Sequence, residues 1–468
     1  MTHPVELRIP LGVGERLQQI VFRPGNHEYV AFGLVSHARL GTKDVLLVRE
    51  VIGLDENQYQ HAPGHGASWS GTSMLPITER ATAEGLGIVV FHAHDHHGTT
   101  RLSRDDEQSA MRLLPFFQRR VPARPHASIV LSRDDAAGLF VYPGQDHPAR
   151  REVRVRWYGQ SILNWPARPA THLQSARFQR QELIIGAEGQ DTLAMSSIAV
   201  VGLGGGGSHV VQQLAHLGIG TLILIDHDHA TPDNQHRLIG MTRLDGLLRR
   251  RKTSIQRRQV RRINPDTRVT LIHERLPMPA TIDALKRADV IIGCVDNLDA
   301  RADLQQLASR YLIPYIDIGL KARPVTPSSA EEARVAIGGN IATYRPGGPC
   351  LWCTGILSDE TLTADRCHPE RTYATTTDGR PGEAQVVSMN GLLASQAVNE
   401  ALQLLTGYAG KSITTASSTK KHDPSGAIVG YKKFLGTTGT LDEWGARARH
   451  DCLHCHEDLA RGDPAWSP

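Results

Sequence analysis

The amino-acid sequence predicts an α/β chain of two domains, the second a doubly wound, Rossmann-like sheet. From Ile198 onward, strand-like runs alternate with helical stretches: "SIAVVGLG", "SHVVQQLAHLG", "TLILIDHD", a basic helix, "RVTLIH", a further helix and "DVIIGCVD". That is the pattern of parallel strands joined by crossover helices. The first of these strands runs into four consecutive glycines, Gly204 to Gly207, that open a helix. Such a turn lets the backbone approach phosphate closely, and the free N–H groups at the helix start attract its charge. The third observation is length. At 468 residues the chain exceeds one hydrophobic core; with roughly 100–200 residues per domain, two domains fit the motifs.

The N-terminal half opens with an amphipathic segment, followed by "HEYVAFGLVSH" and "DVLLVREVIGL", whose Val and Leu content reads as strands. A helix around "SMLPITERATAEG" leads into the apolar strand "LGIVVFHAH". A second helix, "RDDEQSAMRLLPFFQRR", precedes two more strand-like runs, "HASIVLS" and "GLFVYP". The pattern weakens in "GQDHPARREVRVRWYGQ", which places the boundary there and gives domains of 1–157 and 158–468. A helical stretch, "THLQSARFQRQELII", introduces the second. "ATTTDGRPGEA" and "KSITTASSTKKHDPSGA" have the Ser, Thr, Gly and Lys content of surface insertions.

Composition excludes several classes. With 40% hydrophobic and 21% charged residues, no apolar run approaches the roughly 18 residues of a membrane helix. The first residues lack the basic-then-apolar order of a secretory signal, so a cytoplasmic location is expected. Neither a membrane nor a nucleic acid is an expected partner, and the net charge of +4 is modest. Arg249, Arg250, Arg251, Lys252, Arg257, Arg258, Arg261 and Arg262 crowd one predicted helix. Most of them fit a solvated face, with an acidic partner or a polyphosphate as the alternative.

Gly202, Gly204 and Gly207 have the G-x-G-x-x-G spacing of a dinucleotide loop. Asp226, about 20 residues on, suits the ribose of either a nicotinamide dinucleotide or ATP. The discriminating residues lie elsewhere: Asp228, Asn234 and Arg237 in "LIDHDHATPDNQHRL", Lys252 ahead of "INP", Asp296, Asn297 and Arg301 in "GCVDNLDAR", and Arg180 in "RFQRQ". Hydride transfer does not need them. On these residues, the chain from about Arg177 to its last cysteine pair resembles the ThiF/MoeB-like adenylyltransferases, the family of ubiquitin-activating enzymes.

The resemblance implies ATP and Mg2+. Gly202, Gly204, Gly205, Gly207 and Ser208 would form the phosphate cradle, with Asp226 on the ribose and Asp228 and Asn297 among the nucleotide contacts. Arg237 and Lys252 would meet the phosphates, Asn234 would supply a catalytic polar contact, and Asp296 would hold magnesium. Arg180 resembles the arginine that reaches the γ-phosphate from the other protomer of a homodimer. A carboxylate attacking the α-phosphate crowds two anions together, so cations are required. Taken singly, Asp296-Asn297 also reads as a helix N-cap and Arg237 as half of a surface ion pair.

Six cysteines are too few for a disulfide scaffold in a chain of this length. Cys350-x-x-Cys353 and Cys452-x-x-Cys455 suit a tetrahedral four-cysteine zinc site that clamps the C-terminal tail onto the domain, and the resemblance points the same way. Two redox pairs are the alternative; His454 and His456 read as neighbours rather than ligands. Cys294, on a predicted strand, reads as buried packing. Cys367 stands in a polar stretch near Arg366 and Arg371, which would favour its thiolate. In the family, the crossover loop at this place carries the cysteine that takes the activated carboxyl as a thioester or, in sulfur-transfer members, forms a persulfide-type bond. An incidental cysteine is the alternative.

In the N-terminal half, "FHAHDHHGTTRLSRDDEQ" puts His92 and His94 two apart at a strand end, on one face. Asp106, at the start of the next helix, can complete a zinc set of two histidines and one aspartate with one position left open. With Ser103 this resembles the JAB/JAMM metalloproteases, so the first domain is expected to be a JAMM-type mixed sheet with flanking helices. The resemblance implies Glu28 as general base, Ser103 as oxyanion support, and substrates cut after the C-terminal glycine of a ubiquitin-like protein. The spacer between His94 and Ser103 is one residue longer than the commonest pattern, which leaves His96 and Asp105 as alternative ligands.

Both resemblances point to the C-terminus of a ubiquitin-like protein. They imply a bifunctional enzyme of a bacterial ubiquitin-like modification system that uses ATP, Mg2+ and two zinc ions, one catalytic and one structural. A conjugating enzyme and a second copy of the chain are its expected partners. A sulfur-carrier substrate, or an inactive N-terminal domain that only binds, are the alternatives, and a nicotinamide dehydrogenase trails them.

Overall fold

The computed structural model describes residues 4–24, 28–60, 67–167, 176–324, 335–367, 374–375, 381–382, 385–410, 428–436 and 438–464. The Val- and Leu-rich runs of the N-terminal half form one sheet. Its strands are β1 (Val5–Ile9), β2 (Ala31–Leu40), β3 (Lys43–Gly53), β4 (Gly87–Ala93), β5 (His126–Leu131), β6 (Ala136–Val141), β7 (Ala149–Tyr158) and β8 (Ile162–Trp165). They lie in the order β1-β3-β2-β4-β5-β6-β7-β8, and a further β1–β7 pairing closes seven of them into a ring. Helices α1 (Val13–Val21), α2 (Leu75–Glu84) and α3 (Arg104–Arg120) flank it.

The segment 144–160, where the boundary is expected, holds β7 instead. Its alternating Val153, Val155 and Trp157 are buried, a period of two that the intervening arginines obscure in the sequence. The first sheet therefore continues through Trp165.

After α4 (Gln179–Met195) the predicted alternation appears as β9 (Ser197–Val201), α5 (Gly205–Leu217), β10 (Thr221–Ile225), α6 (Arg243–Leu247), α7 (Lys252–Ile263), β11 (Arg268–Ile272), α8 (Pro279–Leu285), β12 (Val290–Gly293) and α9 (Leu298–Tyr311). The chain then adds β13 (Tyr315–Pro324), β14 (Val335–Tyr344), α10 (Asp359–Cys367), the two-residue pair β15 (Ala374–Thr375) and β16 (Pro381–Gly382), α11 (Val387–Thr406), β17 (Ile428–Leu435), β18 (Thr440–Ala446) and α12 (Leu453–His456). The sheet order is β11-β10-β9-β12-β13-β14-β17-β18.

Strands β11 to β13 are parallel, whereas β13, β14, β17 and β18 are antiparallel. The sheet is thus mixed, not wholly parallel as the alternation suggests. The connection from β13 to β14 is shorter than the dozen or so residues a parallel crossover needs, so the strand returns beside its predecessor. Of the two expected insertions, the first contributes the β15–β16 pair; residues 411–427 lie outside the described residues. Among the described residues no helix is long and apolar enough to cross a membrane.

The two sheets share buried surface. Ala38, Val45, Leu47, Tyr158 and Ile162 of the first belong to the same apolar core as β9 to β14. Beside them, Arg156 Nη2 lies 2.7 Å from Asp289 Oδ1, and Arg8 Nη1 donates to Tyr311 O at 2.8 Å.

Candidate functional site

Strand β9 ends at Val201, and Gly202 turns the chain with φ +84°. A Cβ at Gly202 would sit 2.6 Å from Cys294 O, and one at Gly207 would sit 1.9 Å from Gly202 O, so both positions need glycine. Behind the turn lies a cleft of about 900 Å³ at the C-terminal ends of β9, β10 and β12, where doubly wound sheets bind ligands. Gly202, Gly204, Gly205, Asp226, Asp228, Asn234, Arg237, Lys252, Asp296, Asn297 and Arg301 all line it.

Gly207 and Ser208 do not line the cleft. Gly207 packs against Gly202, and the buried Ser208 hydroxyl donates to Gly205 O at 3.0 Å while accepting from Ile239 N at 3.0 Å. They brace the loop rather than cradle a ligand. Arg180 is exposed on α4 and does not line the cleft of its own chain.

Asp226 is buried at the end of β10. Its Oδ2 accepts from Leu203 N at 2.7 Å, and its Oδ1 accepts from Asp228 N at 2.8 Å. Burial raises its carboxyl above the ordinary value, outweighing the lowering by Lys252 and these two N–H donors. Burial likewise opposes ionisation of Asp228, but Lys252, with Nζ 2.8 Å from Asp228 Oδ2, holds that carboxyl low. Asn234 Oδ1 accepts from Thr231 N at 3.2 Å. Asn297 caps α9, its Oδ1 accepting from Ala300 N at 2.7 Å, so the N-cap reading and a place in the cleft both hold for it. The exposed Asp296 offers the cleft a hard carboxylate oxygen, the donor type that suits magnesium.

Sequence reasoning missed part of this wall. Arg275, Gln385 and Asn390 line the cleft, as do Thr361, Ala364 and Asp365 of α10. None of these six carries a local sequence signal, whereas Arg301, already marked by its place in "GCVDNLDAR", does. It is buried, paired with Asp317, and its Nη2 donates to Val295 O at 3.1 Å, one residue before Asp296. Cys294 lines the cleft too, its thiol pushed up by burial and by Asp317.

Cys367 ends α10 and is exposed. Asp365, two residues earlier, lines the cleft, but Cys367 does not, two residues being roughly 200° of helical turn. Arg366, expected to favour the thiolate, is instead paired with Asp299 at 2.6 Å, and Arg371 lies outside the described residues.

A second group sits in the first sheet. Glu28, His92, His94 and Asp106 place ligand atoms within 4.8 Å of one another. The antiparallel register that pairs Ala31 with Phe91 continues past the strand ends and brings Glu28 beside His94, Oε1 to Nε2 3.7 Å. Helix α3 delivers Asp106 in its first turn, with Oδ1 3.1 Å from His92 Nε2 and Oδ2 3.6 Å from His94 Nε2.

Burial opposes ionisation of Asp106, but His92 and Ser103 outweigh it and hold the carboxyl well below the usual range. Ser103 is the N-cap: its Oγ accepts from Asp106 N at 3.1 Å and its N donates to Asp106 Oδ2 at 2.7 Å. A hydroxyl oxygen that accepts keeps its hydrogen free to donate. His96 points elsewhere, its Nδ1 3.0 Å from His97 O, and neither it nor Asp105 joins the group. Both histidine Nε2 atoms face the Asp106 carboxylate, so the three side chains converge as the ligands of one ion would.

The third group is Cys350, Cys353, Cys452 and Cys455, whose sulfurs also lie within 4.8 Å of one another. Sγ–Sγ distances include 3.7 Å for Cys350–Cys452 and 3.4 Å for Cys353–Cys455. Four thiols converging in a largely buried spot fit a tetrahedral thiolate centre. His454 stacks on Trp352 and His456 Nε2 lies 3.2 Å from Arg449 O, so neither ligates.

The family profile described as the ThiF family matches residues 178–446. The sulfur carrier protein ThiS adenylyltransferase of Escherichia coli K12 is 31% identical over 49% of this chain and 81% of its own. The adenylyltransferase and sulfurtransferase UBA4 of Yarrowia lipolytica is 32% identical over 53% of this chain, which spans 55% of that protein. A crystal structure of E. coli MccB with ATP overlays 61% of this chain and 76% of its own at 18% identity, with a TM-score of 0.45. The profile covers more than half of the chain and every residue that lines the cleft, so the chain belongs to the ThiF family.

Proposed function

We propose that the chain adenylates the C-terminal carboxylate of a ubiquitin-like protein with ATP. The observation that carries this reading is the convergence of the glycine turn, Asp226, Arg237, Lys252 and Asp296 on one cleft. The two curated relatives, each named an adenylyltransferase, support it. A carboxylate oxygen attacks the α-phosphorus, the bond to pyrophosphate breaks, and an acyl-adenylate forms. Asp226 would bind the ribose, with Asp228 and Asn297 among the nucleotide contacts, and Asn234 would make a polar contact to the reacting groups. Arg237 and Lys252 would neutralise the phosphates and Asp296 would hold Mg2+.

The Cys367 thiolate would then attack the acyl carbon, forming a thioester and releasing AMP, for transfer to a conjugating enzyme. Arg180, exposed on α4 beside Leu183 and Ile184, 86% and 69% exposed, supports a homodimer in which it serves the partner's cleft. The test is ATP–pyrophosphate exchange that depends on a ubiquitin-like protein with a free C-terminal glycine. The relatives' names favour a second reading of the substrate as a sulfur carrier; thiocarboxylate on the partner, in place of a thioester to Cys367, would mark it.

For the N-terminal domain we propose a zinc peptidase of the JAMM type acting at the same C-terminus in the cytoplasm. His92, His94 and Asp106 would hold the zinc, and their donor set, two imidazole nitrogens and a carboxylate converging within 4.8 Å, fits it. Bound there, zinc supplies Lewis acidity that makes water a nucleophile near neutral pH. Glu28 would take the water's proton, and the free hydroxyl hydrogen of Ser103 would support the oxyanion. Cys350, Cys353, Cys452 and Cys455 would hold a second, structural zinc.

A further inference from the structure

Beyond Cys455 the chain runs between the two sheets. On one side it follows the end of α9: Ala460 N donates to Ser309 O at 3.0 Å, Gly462 N to Arg310 O at 3.1 Å, and Arg310 Nε to Gly462 O at 2.7 Å. On the other side it follows β2. Ser36 Oγ donates to Ala460 O, Asp463 N donates to His37 O at 2.7 Å, and Arg39 N donates to Asp463 Oδ2 at 2.8 Å.

The Asp463 carboxylate joins both sides, because its Oδ1 accepts from Lys286 Nζ at 2.6 Å and from Tyr311 OH at 2.9 Å. Despite burial, these donors hold its carboxyl below the ordinary range. Gly462 has φ +63°, and a Cβ there would meet His37 O at 2.3 Å, so the close approach to β2 needs glycine.

This segment has little structure of its own. Among the described residues its regular structure is the four-residue α12, too short to hold itself. What fixes its start is the cysteine cluster, in which Cys452 and Cys455 of the segment meet Cys350 and Cys353 of the second domain. Ordering a short tail costs conformational entropy, and an anchor at the cysteines shortens the free segment that must find Asp463's partners.

We propose that the four-cysteine centre and residues 457–464 form a metal-set strap that fixes the N-terminal sheet on the second domain. Metal at the four cysteines anchors the segment, and Ala460, Gly462 and Asp463 then staple β2 to α9. Loss of the metal frees the staple and loosens the two sheets from each other, so metal occupancy sets whether the two candidate sites stay in one fixed arrangement. The inference takes from the proposed function only the metal at the cysteines.

The test is amide hydrogen exchange on the full chain, read without ATP or protein substrate, so its outcome is separate from that of the adenylation reading. With zinc loaded, Arg39, Ala460, Gly462 and Asp463 amides should be protected. A zinc chelator, or Cys452→Ser, should speed their exchange at least tenfold while β9 and β12 amides stay as they were. Asp106→Asn, which removes only a first-domain ligand, should leave the strap protected. Asp463→Ala should keep the cysteine-bound zinc and still expose the Arg39 amide. The proposal is overturned if strap amides keep their protection after the cysteine-bound zinc is gone, or if the four cysteines bind no metal. If Cys452→Ser fails to fold, chelation of the unmodified chain decides.

Discussion

Lys252 Nζ stands 2.8 Å from Asp228 Oδ2 at the edge of the cleft, so the cation proposed for the phosphates is already paired before nucleotide arrives. Asp228 is half exposed, and such pairs contribute about 1 kcal/mol or less. A triphosphate can therefore draw Lys252 away at small cost. Lys252→Ala should lower kcat/KM in pyrophosphate exchange by about 100-fold, the scale of one charge-stabilising group. Asp228→Asn should change it by no more than about fivefold. Steady-state kinetics of the two variants check this, and a reversed order would remove Lys252 from the phosphates.

Cys367 should separate two steps. Cys367→Ala is expected to retain pyrophosphate exchange within about twofold, because the step proposed for the thiol follows adenylation. The thiol-sensitive covalent adduct with the ubiquitin-like partner should vanish from non-reducing gels. An adduct that survives the substitution would place the nucleophile elsewhere.

Metal content should be two zinc ions per chain. His92→Ala and Cys452→Ser should each lose one, read by elemental analysis of purified protein. Asp106→Asn should lower cleavage of a linear ubiquitin-like fusion by at least about 100-fold and leave adenylation unchanged. If cleavage persists, the first domain does not use this cluster.

His126 makes the first sheet sensitive to acid. Its Nδ1 accepts from Ile88 N at 3.1 Å and its Nε2 donates to Val121 O at 3.0 Å, and burial pulls its pKa down from 6.5 to about 4. The unfolded chain binds the proton first, so stability is full above about pH 6.5 and falls as pH drops toward 4. The loss is on the order of 3 kcal/mol. Thermal melts of the unmodified chain and of His126→Gln between pH 7 and 5 check the sign: the variant's Tm should depend less on pH.

Much of this molecule is legible in the sequence where residue spacing encodes it. The run "RDDEQSAMRLLPFFQRR" is α3 from end to end, because Ser103 and Asp106 write a capping box ahead of an apolar stripe. The His92, His94 and Asp106 grouping follows from strand alternation and that cap. What stays hidden depends on contacts distant in sequence. Arginines mask the β7 alternation, and nothing near Ser208 says its hydroxyl would serve Ile239 N. Arg366 is drawn off by Asp299, 67 residues away. The Asp463 staple joins β2 to α9 through 424 residues of separation from Arg39, which no local pattern records.

On the proposed reading, Asp296 and its neighbours bind the ATP that activates a protein carboxylate. ATP–pyrophosphate exchange with and without a ubiquitin-like protein ending in glycine, run on the unmodified chain and on Asp296→Ala, tests it most directly. Exchange should occur only with the partner present and fall by at least about 100-fold in the variant. Exchange that Asp296→Ala leaves unchanged, or that proceeds equally without the partner, would contradict that reading.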